Sequence, residues 1–311
     1  MKVTTSMIAR DLRLCGGLYK LLLSGTAKKK AGPEKPVKLR NTDSSKSTYN
    51  VYLTRKDGSK MRVMIRKPEK TSDLGVLWIH SGGYVTGMPE ILDLSMAGKI
   101  VKQALVISPE YRLADRHPYP AALDDCYLTL EWMVGHATSL GIRADKIFVG
   151  GESAGGGLTA ALCLLACDRG EINIACQMPL YPMLTNEVTD SQKDNNAPVW
   201  SEKQNKAAWS LYLDGVKDVS KYAVPLKETD FSGLPPAITF AGTIEPFYDE
   251  TKEYVRKLRE AGVPAAFREF EGCYHAFEMM VPHSKEAKAA VKFFMREFEY
   301  AAQHFEKKQP Q

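Results

Sequence analysis

The sequence predicts an α/β fold with a mostly parallel, eight-stranded sheet and helices on both of its faces. Eight strand-like apolar runs occur along the 311 residues, and helix-like segments separate the later ones. The first two runs flank the turn "KDGSK", whose Asp-Gly pair is typical of a hairpin. The alternation of strand and helix after this hairpin favours a parallel sheet that is covered on both sides.

Two segments of the chain lie outside this alternation. The predicted strands span residues 50–55, 61–66, 75–79, 104–108, 146–149, 176–180, 237–241 and 265–271. The predicted helices span residues 91–102, 121–140, 154–168, 247–261 and 285–305. The remaining segments are residues 1–45 and 183–216, and the second becomes helix-like from about Ser201. Because ligands bind at the carboxyl-terminal edge of such sheets, we expect both segments to cover that edge.

The N-terminal segment is basic, since residues 1–40 hold ten Lys or Arg and two acidic residues. Its apolar residues recur at helical spacing, which predicts an amphipathic helix followed by a linker. A basic arm can bind nucleic acid or anionic lipid, but Tyr19 is its one aromatic residue and charges interrupt its apolar run. We therefore expect a solvated segment, with no nucleic-acid partner, no membrane association and no signal peptide.

The six cysteines of the chain do not form a C-x-x-C motif. Several lie in apolar runs, so we expect buried, reduced thiols and a cytoplasmic location. Cys163 and Cys167 lie four residues apart on a predicted helix, but no histidine is near them in the sequence, which favours core packing over a metal site. The sequence therefore predicts neither a metal nor a cofactor.

Ser153 is the candidate nucleophile. It lies in "GGESAGG", between a predicted strand and a predicted helix. A serine at this place projects from a tight bend that tolerates only small residues two positions away, here Gly151 and Gly155. The helix that follows directs free amides and the positive end of its dipole towards the hydroxyl. A glycine-rich bend that only packs a helix on a strand would give the same pattern.

His275 is the candidate general base. It follows the last predicted strand in "YHAFE", so its loop lies at the same edge of the sheet as Ser153. The acid that orients the imidazole should stand between the two in the chain. Glu245 lies three residues beyond Gly242 and fits best. Asp249 is the alternative, although it should already be inside the next helix.

The turn "HSGGY" is the candidate oxyanion site. Gly82 and Gly83 have no side chains, so their amides can approach a substrate oxygen closely and form a three-donor pocket with the amide of Ala154. A plain β-turn would explain "HSGGY" alone, but its occurrence with the serine, acid and histidine favours the oxyanion role. Three residues that flank these motifs are candidates for lining the substrate pocket: Ser81, Tyr84 and Glu152.

Five motifs together resemble those of the bacterial hormone-sensitive-lipase-like esterases, a branch of the α/β-hydrolases. They are "HSGGY", "YRLADRHPYPAALDD", "GESAGG", "IEPFYDE" and "YHAFE", in the order and spacing of that family over about residues 50–305. The resemblance implies an α/β-hydrolase fold and these roles: Ser153 as nucleophile, His275 as base, Glu245 as acid, and Gly82, Gly83 and Ala154 as oxyanion donors.

The resemblance also implies how the chain is divided. A helical cap would consist of residues 1–45 and 183–216, over a catalytic core of residues 46–182 and 217–311. Members of the family often dimerise through the last strand and helix, which makes a homodimer an expectation for this chain. The sequence departs from the family pattern at four positions: Ser81 for Gly, Asp115 for Pro, Glu152 for Asp and Glu245 for Asp.

The sequence therefore predicts a serine carboxylesterase that acts on a small-molecule ester. Short acyl groups, acetyl to butyryl, are what the family resemblance implies. Three alternatives use the same fold: a small-ligand binding protein without turnover, an amidase or peptidase, and a lipase. The plant gibberellin receptors resemble this family but lack the catalytic histidine, so the presence of His275 favours an enzyme.

Overall fold

The computed structural model describes residues 1–23 and 42–310, and one eight-stranded sheet forms its centre. The strands are β1 (Thr48–Thr54), β2 (Lys60–Arg66), β3 (Gly75–Ile79), β4 (Leu105–Pro109), β5 (Ile147–Glu152), β6 (Cys176–Leu180), β7 (Ala237–Gly242) and β8 (Ala265–Phe270). They lie in the order β1-β2-β4-β3-β5-β6-β7-β8. The β1–β2 and β2–β4 pairs are antiparallel and the others are parallel, which confirms the predicted sheet.

The helices alternate with the strands from β3 onwards. They are α1 (Arg13–Leu23), α2 (Ala97–Ile100), α3 (Ala121–Gly135), α4 (Ala137–Leu140), α5 (Ala154–Arg169), α6 (Glu202–Tyr212), α7 (Tyr248–Glu260), α8 (Phe277–Met280) and α9 (Lys285–His304). Short 3-10 turns occupy Thr5–Met7, Arg10–Leu12, Pro89–Leu94 and Pro225–Lys227.

The prediction of one continuous helix over residues 91–102 was wrong in its extent. The chain forms a 3-10 turn as far as Leu94, and α2 covers four residues. Ser95 separates the two, because its hydroxyl donates to the Leu92 carbonyl and accepts from the Ala97 amide. Serine side chains that bond to nearby backbone in this way compete with a continuous helix.

The central strands are buried on both faces, which explains their continuous apolar sequences. One apolar cluster joins the sheet to α3, α5 and α7, and the other joins it to α2 and α9. The carboxyl ends of the parallel strands β3, β5, β7 and β8 therefore meet at one open edge, where the connecting loops can bring side chains together.

The N-terminal segment packs against the loop that follows β8. The Ala9 amide donates to the Gly272 carbonyl at 2.8 Å, and the Tyr19 hydroxyl donates to the Met280 carbonyl at 3.1 Å. The Val3 amide donates to Oδ1 of Asn196, which lies in the 183–216 insertion, at 2.7 Å. The predicted linker, residues 26–36, lies outside the described residues.

The six cysteines are free thiols, and Cys126, Cys163, Cys176 and Cys273 are buried. Within residues 1–23 and 42–310, no group of three or more His, Cys, Asp or Glu side chains is arranged to hold a metal ion. In the same ranges, no helix has both the length and the apolar character needed to cross a bilayer.

Asp125 joins the first hairpin to the loop that follows β4. Its carboxylate, 1% exposed, accepts from Nε of Arg55 at 2.7 Å and from Nη2 of the same side chain at 3.0 Å. It also accepts from the amide of Arg112 at 2.8 Å and from its Nη2 at 3.0 Å. One buried carboxylate therefore balances two guanidinium groups and fixes the start of α3.

We expect Asp125→Ala to lower the free energy of unfolding by about 3–5 kcal/mol, because it leaves two partly buried guanidinium groups without their counter-charge. Chemical denaturation measures this change. Asp124→Ala removes the neighbouring, exposed carboxylate of the same helix and should cost less than about 1 kcal/mol. Equal losses in the two variants would contradict the anchoring role of Asp125.

Candidate active site

Ser153 lies on the turn between β5 and α5, with φ 58° and ψ −118°. Such a backbone conformation is sparsely populated and costs about 1–3 kcal/mol unless the surroundings hold it. The Ser153 amide donates to the Leu180 carbonyl at 3.0 Å, and its own carbonyl accepts from the amides of Gly157 and Met183. These backbone bonds hold the strained residue so that its hydroxyl projects from the sheet edge.

Gly151 and Gly155 let this turn approach the end of β3. A β-carbon at position 151 would lie 2.5 Å from the Ile79 carbonyl oxygen, and one at position 155 would lie 2.1 Å from the same atom. Both distances are far shorter than any real contact. The two glycines are therefore required by a close backbone approach, as the spacing of the motif predicted.

Ser153, His275 and Glu245 form one chain of contacts. Nε2 of His275 lies 2.9 Å from Oγ of Ser153, and Nδ1 lies 2.5 Å from Oε2 of Glu245. The other oxygen of Glu245, Oε1, accepts from the amide of Gly242 at 2.7 Å. Glu245 is fully buried, and Ser153 and His275 are each 4% exposed. The imidazole is thus held between a hydroxyl and a carboxylate at both of its nitrogens.

Asp249, the alternative acid, has a different partner. Its Oδ2 accepts from the amide of Ser191 at 2.6 Å, and the Ser191 hydroxyl donates to the carbonyl of Pro246 at 2.7 Å. Ser191 belongs to the 183–216 insertion. The structure therefore brings Glu245 to the imidazole and uses Asp249 to attach the insertion to the core.

Aromatic rings surround the imidazole of His275. Tyr181 and Phe247 each pack edge-on against it with ring centroids 5.0 Å apart, and Trp200 lies at 6.2 Å. The sequence analysis did not predict these aromatic residues. Tyr181 directly follows β6, and Phe247 follows Glu245 by two positions, so both lie at the sheet edge that carries the other site residues. Their position in the loops after strands at that edge could have indicated them.

A buried acid supports this aromatic wall. The hydroxyl of Tyr181 donates to the carboxyl of Glu278, which is 5% exposed. Burial raises the pKa of Glu278 to about 8, and the hydrogen bond from Tyr181 offsets part of that rise. Glu278 thus holds the hydroxyl of Tyr181, while the carboxylate that contacts the imidazole directly is that of Glu245.

Gly82 and Gly83 form the turn after β3, with φ values of +130° and +60°. A β-carbon at position 82 would lie 1.9 Å from the Thr86 carbonyl oxygen, so only glycine fits. Within the described residues, the amides of Gly82, Gly83 and Ala154 donate to no protein acceptor. The sequence motifs thus correspond to three free N–H groups at the edge where Ser153 lies.

The side chains of Glu152 and Tyr84 do not line a pocket, although the sequence predicted that they would. The Glu152 carboxylate accepts from Nε1 of Trp78 at 2.8 Å and from the Met96 amide at 3.0 Å, and burial raises its pKa to about 7. Tyr84 stacks on Tyr212 with centroids 3.9 Å apart. Both side chains are 1% exposed and belong to the core, so that expectation was wrong.

A cavity of about 90 Å³ adjoins the Gly82 turn instead. Its wall comes from the Gly82 turn with the residues that follow it and from the insertion: Gly82, Val85, Thr86, Trp200, Gln204, Ala207, Ala208 and Leu211. Ser81, the third candidate, is half-buried and is not among these residues; its carbonyl lies 2.9 Å from Nδ1 of His80.

Comparisons with known proteins identify the family. A family model described as an alpha/beta hydrolase fold matches residues 76–279. The carboxylesterase NlhH of Mycobacterium tuberculosis is 34% identical over 226 residues, which cover 68% of this chain and 70% of that protein. The chain belongs to the hormone-sensitive-lipase-like esterases of the α/β-hydrolase fold.

Other members of this esterase family are similar over comparable lengths. The arylesterase of Saccharolobus solfataricus is 32% identical over 227 residues, 69% of this chain and 72% of that protein. Among solved structures, the esterase LipW from Mycobacterium marinum superposes with a TM-score of 0.80 at 25% identity, over 97% of this chain and 98% of that one. A bacterial heroin esterase superposes with a TM-score of 0.81 at 26% identity, over 96% of this chain and 99% of that one.

For this esterase, we expect Gly155→Ala to reduce ester hydrolysis by at least about 100-fold, because a shift of about 1 Å at a reacting group has that effect. The new methyl group would collide with the Ile79 carbonyl and displace the Ser153 turn. Steady-state kinetics and thermal unfolding measure both effects.

Gly135→Ala is the matched control for this substitution, since a β-carbon there meets no atom within 4 Å. It should leave activity unchanged and stabilise α3 slightly. Full activity in the Gly155→Ala variant would contradict the close-approach requirement at the turn.

Proposed function

We propose that the protein is a serine carboxylesterase that hydrolyses short-chain acyl esters through an acyl-enzyme intermediate. The observation that carries this proposal is the continuous contact from Glu245 through His275 to Oγ of Ser153. A hydroxyl within about 2.6–3.2 Å of a basic nitrogen can transfer its proton as it attacks. The names of the relatives, a carboxylesterase and an arylesterase, support the same class of reaction.

In the first half of the proposed reaction, Oγ of Ser153 attacks the ester carbonyl carbon while Nε2 of His275 takes the hydroxyl proton. The carbonyl oxygen becomes an oxyanion that accepts from the amides of Gly82, Gly83 and Ala154. Each such donor contributes about 2.7–4 kcal/mol to the transition state. Glu245 holds the imidazole in the required tautomer and stabilises its cation. The cation then gives its proton to the departing alkoxide, which leaves as the alcohol.

The second half repeats these steps with water as the nucleophile. His275 removes a proton from water, and the resulting hydroxide attacks the acyl carbon bound to Ser153. Collapse of the second tetrahedral intermediate breaks the bond to Oγ, and His275 returns the proton to the serine. The products are a carboxylic acid and the free enzyme, so the cycle needs no metal ion or cofactor.

The small cavity beside the Gly82–Gly83 turn supports the proposed preference for acetyl to butyryl groups, which the family resemblance implies. A cavity of about 90 Å³ suits an acyl chain of a few carbons. This proposal places the cap in residues 1–45 and 183–216, of which residues 24–41 lie outside the described part of the chain. The hydrogen bond from Val3 to Asn196 joins the two segments on the same side of the sheet.

We expect Ser153→Ala to reduce kcat/KM for p-nitrophenyl butyrate by at least about 10,000-fold, because the nucleophile is removed. A fluorophosphonate probe should label the wild type and not this variant. Ser139→Ala, at an exposed position on α4, is the control and should keep both activity and labelling. A wild-type protein that neither hydrolyses esters nor reacts with the probe would instead be a binding protein, and the proposal would fail.

Glu245→Ala should reduce kcat by about 1,000- to 10,000-fold, because the imidazole loses the carboxylate that fixes its tautomer. Asp249→Ala should cost less than about tenfold, since Asp249 bonds to the insertion and not to His275. Kinetics on both variants, at equal folded content by circular dichroism, distinguish the two acids. A larger loss in Asp249→Ala would reverse the assignment.

A further inference from the structure

We infer that Trp200, on the 183–216 insertion, sets the upper limit of acyl-chain length by closing the cavity beside the oxyanion turn. The inference rests on the proposed esterase function and names a residue that decides the substrate of that same site. Three separate observations support it: the direction in which the acyl chain must leave Ser153, the position of the indole, and the strained backbone that places it.

The cavity lies on the acyl side of the reacting carbon. The departing alcohol takes its proton from Nε2 of His275, so the alcohol must lie next to the imidazole. None of the residues that line the cavity comes from the His275 loop; they come from the oxyanion turn and from the insertion. A substrate with its carbonyl oxygen on the Gly82 and Gly83 amides therefore directs its acyl chain into this cavity.

The indole of Trp200 stands where the cavity meets the oxyanion turn. A β-carbon at Gly83 would lie 2.4 Å from Cη2 of Trp200, so the ring rests directly on the glycine backbone. The ring centroid is also 6.5 Å from that of Phe247 and 6.2 Å from that of His275. A rigid aromatic side chain at this junction ends the cavity close to the reacting carbon.

The residue before the tryptophan has a strained backbone. Val199 has φ +70°, a conformation that β-branched residues very rarely adopt. The Trp200 amide donates to the Pro198 carbonyl at 2.8 Å, and Nε2 of Gln204 donates to the Val199 carbonyl at 3.3 Å. Strain that is maintained in this way is common where a side chain must be placed for function, and here it directs the indole onto Gly83.

Helix α6 contributes two small side chains to the lining of the cavity, Ala207 and Ala208, beside the larger Gln204 and Leu211. The small alanine side chains leave the cavity open at α6, and the indole of Trp200 limits its extent. Removal of the indole and enlargement of an alanine should therefore change the acyl preference in opposite directions.

The experiment measures kcat/KM for p-nitrophenyl acetate, butyrate, hexanoate and octanoate with full-length variants. Trp200→Ala should raise the octanoate-to-butyrate ratio by at least about tenfold, because one methylene in a pocket is worth about that factor or more. Trp200→Phe keeps a ring at the position and should change the ratio much less. Ala207→Leu should lower the butyrate-to-acetate ratio by about tenfold, since it fills the cavity.

Trp132→Ala removes a half-buried tryptophan of α3 that does not line the cavity, and its ratios should match the wild type. A parallel series of acetate esters with alcohols of increasing length tests the alcohol side. Because the indole also lies 6.2 Å from the imidazole, Trp200→Ala should change that profile, but much less than it changes the acyl ratio.

Different outcomes separate the two claims. If wild-type protein is inactive on every ester, the proposed function fails. If it is active but Trp200→Ala leaves the acyl ratio unchanged, or alters only the alcohol series, the inference about Trp200 fails and the function stands. If Trp200→Ala does not fold, an unchanged acyl ratio in Ala207→Leu overturns the inference.

Discussion

The close approach of the Ile79 carbonyl to two glycines is the constraint on which the rest of the site depends. Ile79 ends β3, and the turn at Gly82 and Gly83 follows shortly after it. Because Gly151 and Gly155 allow contact with this carbonyl, the Ser153 turn and the Gly82–Gly83 turn are fixed relative to each other by backbone alone. The hydroxyl and the free amides are therefore placed before any substrate arrives, which is the preorganisation that electrostatic catalysis requires.

The surroundings of the imidazole complete this arrangement. His275 is enclosed by the rings of Tyr181, Phe247 and Trp200, and its Nδ1 contacts the buried carboxylate of Glu245. Water exclusion lowers the local dielectric, and charge interactions become stronger in such an environment. The aromatic rings therefore strengthen the electrostatic interaction between the Glu245 carboxylate and the imidazole.

Local patterns in the sequence predicted most of the fold and the side chains that meet at the sheet edge. Apolar runs located all eight strands, and the loops after three of them placed Ser153, Glu245 and His275 at one edge of the sheet. The substrate side was harder to predict. Tyr84 and Glu152 are next to the motifs in the sequence, but their side chains point into the core. The position of a residue beside a motif does not predict which way its side chain points at a turn. Trp200 lies in an irregular segment without periodicity, so nothing local indicated its place.

Hydrogen bonds join the 183–216 insertion to residues 244–250, the loop that contains Glu245, and these bonds limit how such enzymes can diverge. Ser191 bonds to Asp249 and Pro246, and Asn195 donates to the Ile244 carbonyl at 3.1 Å. These partners flank Glu245 on both sides. Recombination that exchanged only the insertion between relatives would therefore disturb the acid as well as the pocket. An exchange that keeps the acid in place would therefore have to include residues 183–216 and 244–250 together, although they are separate in the chain.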